Sequence, residues 1–208
     1  MRAWSIAILV FVCGCQPQSS VGVEKNNSAT LMTHRVQPAR RIVSLAPGIT
    51  EMLYAIDAQQ WLVATVEYSD FPEAAKQIPR VGDAFRIDLE RLLAFKPDLV
   101  LVWSSGTPYS VVSQIKALGL RVESIDANRL GDVSNSLRRL GELTGQQSVA
   151  EQQAHAFDES IDELRMHYQQ RPSQDVFIEI SRQPLYTVSG SHVISDVVTL
   201  CGGRNVFA

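Results

Sequence analysis

Two places near the end of the sequence combine residue types that can do chemistry. His192 and Asp196 stand four residues apart. That spacing puts an imidazole and a carboxylate on one helix face, where both could hold a metal ion. The same spacing equally suits a histidine at a helix start with a solvated aspartate. Cys201-Gly202-Gly203 could form a nucleophile turn in a hydrolase-like enzyme, but no base stands near it. The remaining histidines, His34, His155 and His167, are scattered. No G-x-S-x-G, phosphate loop or G-x-G-x-x-G occurs. The expectation is therefore no catalytic residue, no bound metal and no cofactor: a protein that is not an enzyme.

A different chemistry is legible at the ends of the expected strands. In open α/β sheets ligands bind beyond the carboxyl ends of the strands. Here those ends are Ala46-Pro47-Gly48, Glu67-Tyr68-Ser69-Asp70, Trp103-Ser104-Ser105-Gly106 and Asp126-Ala127. Two large aromatics, Tyr68 and Trp103, therefore share one rim. A strand-end aromatic is often only a lid on the core. Two of them beside glycine and serine suit a broad apolar ligand with polar edges. Asp70, Asp83 and Asp126, with Arg86, set the charge near this rim. Glu90 stands at the start of the next expected helix, where a carboxylate favours the helix dipole.

The elements that must position these residues alternate along the chain. Arg41 to Leu45 reads as a buried strand, followed by a helix on Ile49, Met52, Leu53 and Ile56. Trp61 to Val66 is the second strand. Asp88 is the N-cap of a helix over Leu89 to Lys96 that stops before Pro97. Leu99 to Trp103 is apolar throughout, as expected for a sheet covered on both faces. Thr107 caps a helix with Pro108 at its first position, and Gly119 closes it. Arg121 to Ile125 is a fourth strand, and Leu130, Val133, Leu137 and Leu140 mark the next helix. The alternation implies a parallel α/β sheet.

Ala150, Ala154, Phe157, Ile161, Leu164 and Tyr168 then follow a 4-3-4-3-4 spacing. That is one stripe on a helix of about 24 residues, roughly 36 Å long. It fits a rigid strut between two lobes better than a sheet crossover. Beyond it, Asp175 to Ile180 and Leu185 to Val188 read as strands, and Ile194, Val197, Val198 and Cys201 share a helical face. Residues 175–208 are too few to bury a core of their own, and the chain is expected to be a fragment of a larger protein.

Composition agrees with a globular domain. Of 208 residues 45% are hydrophobic, and the net charge of −3 with no basic cluster argues against a nucleic-acid partner. Arg2 and the apolar run Ser5 to Val12 resemble an export signal, too short to span a bilayer. Val12-Cys13-Gly14-Cys15 resembles a lipoprotein cleavage box, which makes Cys15 the candidate for lipidation; plain signal cleavage is the other reading. The expected organisation is a signal peptide over 1–15, a disordered tether over 16–40, an N-terminal α/β lobe over 41–146, a linking helix over 147–171 and the start of a C-terminal α/β lobe over 172–208.

Several segments together resemble the periplasmic vitamin B12 and iron-chelate binding proteins of ABC importers. They are Arg41 to Pro47 with Thr50-Glu51, Tyr68-Ser69-Asp70-Phe71-Pro72, Asp88 to Arg91 with Lys96 to Val100, and Cys201 to Phe207. The Tyr68-Ser69-Asp70 and Trp103 pieces point towards the cobalamin branch. The resemblance implies a two-lobed periplasmic-binding fold with parallel sheets joined by one long helix, here with its second lobe truncated. It implies capture of cobalamin or a related corrinoid and delivery to an ABC permease and ATPase complex, by a monomer in the periplasm or on the outer face of the cytoplasmic membrane. By the same resemblance Ala46, Pro47, Tyr68, Trp103 and Tyr186 would line the ligand. Phe85 would stand in for a tryptophan of the family's loop, Ala84 holding that place here. Glu90 would dock on the permease, and Cys201 would pair with a cysteine outside this chain. Haem or a ferric siderophore is the alternative ligand.

Overall fold

The computed structural model of the protein describes residues 37–83 and 86–208. The expected export signal with Cys15, the tether up to residue 36, and Phe85 lie outside the described residues.

Short apolar runs make the sheet. The first elements are β1 (Ile42–Ser44), α1 (Pro47–Ala55), β2 (Leu62–Ala64), α2 (Leu89–Ala94), β3 (Leu99–Trp103), α3 (Tyr109–Ala117), β4 (Val122–Ile125) and α4 (Leu130–Thr144). The strands lie in the order β2-β1-β3-β4, all parallel. Alternate residues along each strand feed opposite faces. Ile42, Leu99 and Leu101 pack with Ile49, Leu53, Leu137 and Leu140 of α1 and α4. Val43, Val100 and Val102 pack with Leu92, Val111 and Ile115 of α2 and α3. A sheet covered on both faces explains why β3 shows no polar alternation.

Local signals set most helix ends. Asp88 accepts the Arg91 N–H at 2.9 Å and caps α2. Gly145, at φ +80°, closes α4 in the left-handed conformation that glycine reaches without a Cβ penalty. The start of α3 differs from expectation. Thr107 does not cap it, because its hydroxyl accepts the Trp103 N–H at 3.1 Å; Pro108 takes the cap position instead. Order also begins earlier than Arg41. Ala39 is buried and donates its N–H to the Leu143 carbonyl, and Arg40 lies over the Trp61 ring at 4.1 Å. Residues 38–40 are thus clamped against the end of α4 and do not belong to a disordered tether.

The long helix α5 (Gln147–Tyr168) has 22 residues and ends three residues short of the expected limit. At the standard rise it is about 33 Å long. Its stripe is graded: Ala150 and Ala154 are buried against α4, Phe157 and Ile161 are half-buried, and Leu164 is exposed. Beyond it lie β5 (Gln174–Val176), β6 (Ser181–Arg182), β7 (Leu185–Tyr186), α6 (Val193–Leu200) and β8 (Gly203–Asn205). β5 and β8 pair in parallel around α6, and β6 and β7 form an antiparallel hairpin. The expected strand over 175–180 stops at Val176 and the one over 185–188 stops at Tyr186, since neither finds a partner further along. Among the described residues after Ala154 no apolar side chain is fully buried. The polar pair Ser195 and Asn205 is buried instead, bonded at 2.7 Å.

Candidate ligand-binding rim

The order β2-β1-β3-β4 places a topological switch between β1 and β3, where chain connections leave the sheet in opposite directions. Ala46-Pro47 follow β1 directly, with Ala46 buried and Pro47 half-buried. Trp103 ends β3 on the other side of the switch and pairs in register with Ile125. Tyr68 follows β2. The structure therefore brings four sequence-predicted residues, Ala46, Pro47, Tyr68 and Trp103, onto one edge of one sheet.

The two aromatics sit differently. Tyr68 is 80% exposed and adopts φ +66°. A bulky residue in the left-handed region is strained by about 1–2 kcal/mol, so its surroundings must hold it there. They do: the Glu67 N–H donates to the Gly82 carbonyl at 2.9 Å, and Arg80 donates to the Ser69 carbonyl at 2.9 Å. Arg80 also reaches the carbonyls of Ala75 and Ile78 and pairs with Asp70 at 3.3 Å. Asp70 is thus committed to Arg80, and Asp83 accepts the Arg86 N–H. Trp103 is partly buried against the core. Its indole lies on Gly106, and its Nε1 is buried without a hydrogen-bond partner among the described residues. Both readings of a strand-end aromatic apply to it, since it lids the core and flanks the rim.

Further groups on this edge escaped the sequence. Tyr109, 85% exposed at the start of α3, and Phe71, exposed beyond Tyr68, add aromatic surface. Asn128 bonds Ser105 and, at 3.4 Å, Ser104, tying the end of β3 to the loop before α4. Beneath the turns, Ser44, Thr50, Thr65 and Ser69 form a buried chain of hydroxyls. Their wide sequence separation hid them. A groove of about 400 Å³ between α1, α4 and α5 is lined by Met52, Val133, Leu137 and Phe157, with Phe71 at its edge.

The other expected residues belong to other elements. Tyr186 is 60% exposed in the β6–β7 hairpin, and its carbonyl accepts the Ile180 N–H. Glu90 is exposed in the first turn of α2. Cys201 is a free, exposed thiol at the end of α6. Among the described residues no group of three or more metal-ligating side chains converges. The resolved pKa shifts belong to surface cations. Lys76, Arg138 and Arg139 are each raised, chiefly by hydrogen bonds to Glu73, Glu151 and Glu142 respectively.

His192 and Asp196 do not face a common ion. His192 Nδ1 accepts the Ile194 N–H at 3.2 Å and caps α6. Asp196 is not the solvated carboxylate of the alternative reading either. It accepts from Arg129 Nε at 2.8 Å and from the Leu130 N–H, the first amide of α4, at 3.0 Å. It therefore caps α4 from across the chain and ties α6 to the loop beside the rim. Arg129 is half exposed, so the ion pair itself adds little; the lost cap dominates. Asp196→Ala is expected to cost about 1–2 kcal/mol, read as a lower urea midpoint, and Asp196→Asn less, because it keeps an acceptor.

An open parallel sheet with an aromatic rim at its switch point, leading through one long helix into a second βαβ unit, defines a two-lobed α/β binding protein. A family model described as periplasmic binding protein matches residues 42–208, and the chain belongs to that family. The vitamin B12-binding proteins of Yersinia pestis (strain Pestoides F) and Yersinia pseudotuberculosis serotype O:3 (strain YPIII) are each 37% identical to it over 179 residues, 86% of this chain and 64% of theirs. The chain thus spans less than two thirds of the length of these relatives. The crystal structure of the periplasmic vitamin B12 binding protein of Vibrio cholerae matches with a TM-score of 0.76 at 34% identity, covering 82% of this chain and 67% of that one. A periplasmic heme-binding protein from Roseiflexus sp. RS-1 shares the fold at a TM-score of 0.71 and 23% identity, covering 80% of this chain and 65% of that one.

Proposed function

We propose that this chain is the substrate-binding component of an ABC importer and captures cobalamin or a related corrinoid. The observation that carries the reading is the exposed Tyr68 after β2 on the same sheet edge as Trp103 at the end of β3, in a chain whose relatives include vitamin B12-binding proteins. Aromatic faces supply apolar contact to a flat macrocycle, and the hydroxyls and amides of Ser104, Ser105 and Asn128 suit its amide side chains. Ala46 and Pro47 form the floor, and Tyr186 and Phe85 are assigned to the ligand from other segments. The ligand leaves unchanged, so the role is binding and not catalysis. Glu90, exposed on the first lobe, is assigned to the permease. Cys15 is assigned to lipidation at the outer face of the cytoplasmic membrane, and Cys201 to a disulfide with a cysteine outside this chain. The chain acts as a monomer.

Titration of the full chain with cyanocobalamin, followed by tryptophan quenching, tests this. Saturable quenching by cyanocobalamin, and none by haem, is the expected result. Tyr68→Ala should weaken it about tenfold or more, as loss of one aromatic anchor worth at least 1.4 kcal/mol would. Because the side chain is exposed, the urea midpoint should hold within about 0.5 kcal/mol. Saturation by haem and silence with cyanocobalamin would move the protein to the haem side of the family.

A further inference from the structure

Four hydroxyl side chains distant in sequence meet beneath the rim. Ser44 is the last residue of β1, Thr50 lies in α1, and Thr65 and Ser69 both follow β2. All four are at most 1% exposed. Thr65 Oγ1 donates to Ser69 Oγ at 2.9 Å, and Thr50 Oγ1 lies 2.7 Å from Thr65 Oγ1. Each hydroxyl has one proton. Thr65 spends its proton on Ser69, so the one Thr50 proton is shared between Thr65 Oγ1, Ser44 Oγ and, at 3.3 Å, the Ala46 carbonyl. Ser44 Oγ accepts from Thr50 Oγ1 at 3.0 Å and in turn donates to the Ala46 carbonyl at 3.0 Å. The chain of contacts runs from the Ala46-Pro47 turn at one end to the Tyr68 turn at the other.

Its ends are the two places that need fixing. Tyr68 is held in the left-handed region by its neighbours, and the backbone bond nearest to it on the C-terminal side, Ser69 N–H to the Val66 carbonyl, is long at 3.4 Å. The Ser69 hydroxyl is therefore a principal tie of this turn to the sheet, with Arg80 on the Ser69 carbonyl as the other. The Thr65 backbone is already fixed by pairing with Pro79 and Val81, through the Thr65 N–H at 2.9 Å and the Thr65 carbonyl at 2.8 Å. Its side chain is thus free to serve the rim. Buried hydroxyls are costly unless satisfied, and a satisfied network specifies one arrangement of the groups it joins.

We propose that Thr65, with Ser69 and Thr50, is a positioning residue for the ligand: the relay sets Tyr68 and the Ala46-Pro47 turn in one fixed relation before the ligand arrives. This rests on the corrinoid reading for its affinity consequence. The variants are Thr65→Val, which keeps the shape and removes the hydroxyl, Thr65→Ser, which restores it, and Ser69→Ala, which cuts the last link should Thr65→Val fail to fold.

Amide hydrogen exchange on the free chain and cyanocobalamin affinity are the two measurements. Thr65→Val should speed exchange at the Tyr68 and Ser69 amides while leaving β3 protected, and should weaken cyanocobalamin binding about tenfold. Thr65→Ser should bind like the parent. In a Tyr68→Ala background the same Thr65→Val change should cost clearly less, because the part of its effect that passes through Tyr68 is already lost. Unchanged exchange, unchanged affinity, or an equal loss in the Tyr68→Ala background would each overturn the positioning role. Should the parent chain bind no cyanocobalamin, the ligand assignment fails. Hydrogen exchange then decides the relay by itself: faster exchange confined to the two turns upholds it, and exchange like the parent's overturns it.

Discussion

Gly106→Ala is expected to unseat the Trp103 indole. A Cβ on Gly106 would stand 1.9 Å from Trp103 Cε3 and 2.5 Å from Cζ3. No heavy atoms approach that closely, so either the ring or the turn must move. The ring has no polar anchor, because its Nε1 is buried without a partner among the described residues; packing alone holds it. Overpacking of this kind costs about 1–3 kcal/mol. The turn has little freedom to yield instead, since the Gly106 and Thr107 amides both donate to the Trp103 carbonyl and the Thr107 hydroxyl takes the Trp103 N–H. The displacement should appear as a changed tryptophan emission, a lower urea midpoint and weaker cyanocobalamin binding. A variant with the parent's emission spectrum and midpoint would show that the indole does not rest on Gly106.

Gly141→Val should have the largest effect on the frame. Gly141 lies inside α4, where alanine would ordinarily improve the helix by about 1 kcal/mol. Here the space is taken. Its Cβ would stand 2.4 Å from the Ala150 Cβ, 3.2 Å from the Gln147 Cα and 3.3 Å from the Gln146 carbonyl oxygen. These atoms belong to the start of α5, so nothing flexible can give way. Valine adds two methyl groups at that point and should force α5 off α4. The loss is expected at about 3 kcal/mol or more, measured by urea denaturation. The salt bridges of Arg138 with Glu151 at 2.9 Å and Asp158 at 3.4 Å lie on the same pair of helices. They should be lost in the same transition. A midpoint equal to the parent's would mean that α4 and α5 are not in contact at Gly141.

Much of the frame was legible in the chain. The unbroken apolar run Leu99 to Trp103 and the helical spacing from Leu130 to Leu140 led to a parallel sheet covered on both faces, which is the observed arrangement. Asp88 and Gly119 marked helix ends correctly, because capping and left-handed glycine act within a few residues. The stripe from Ala150 to Tyr168 identified the long helix. The errors share a cause. Thr107 looked like a cap until a strand-end amide claimed its hydroxyl, and Asp196 looked solvated until Arg129, 67 residues away, was brought against it.

The sequence by itself determined the element types and the strand-end positions of Tyr68 and Trp103, since periodicity and caps are local and alternate faces follow from helix and strand geometry; the periplasmic-binding architecture was legible only through the resemblance of its segments to that family. Only the tertiary structure decided how those positions are held. It joined Ser44, Thr50, Thr65 and Ser69 into one buried chain, seated the indole on Gly106 and turned Gly141 from a weak helix residue into a contact that no larger side chain can make. Such contacts join residues through space at separations that carry no period, and nothing in a linear spacing announces which partner a buried hydroxyl or a missing side chain will meet.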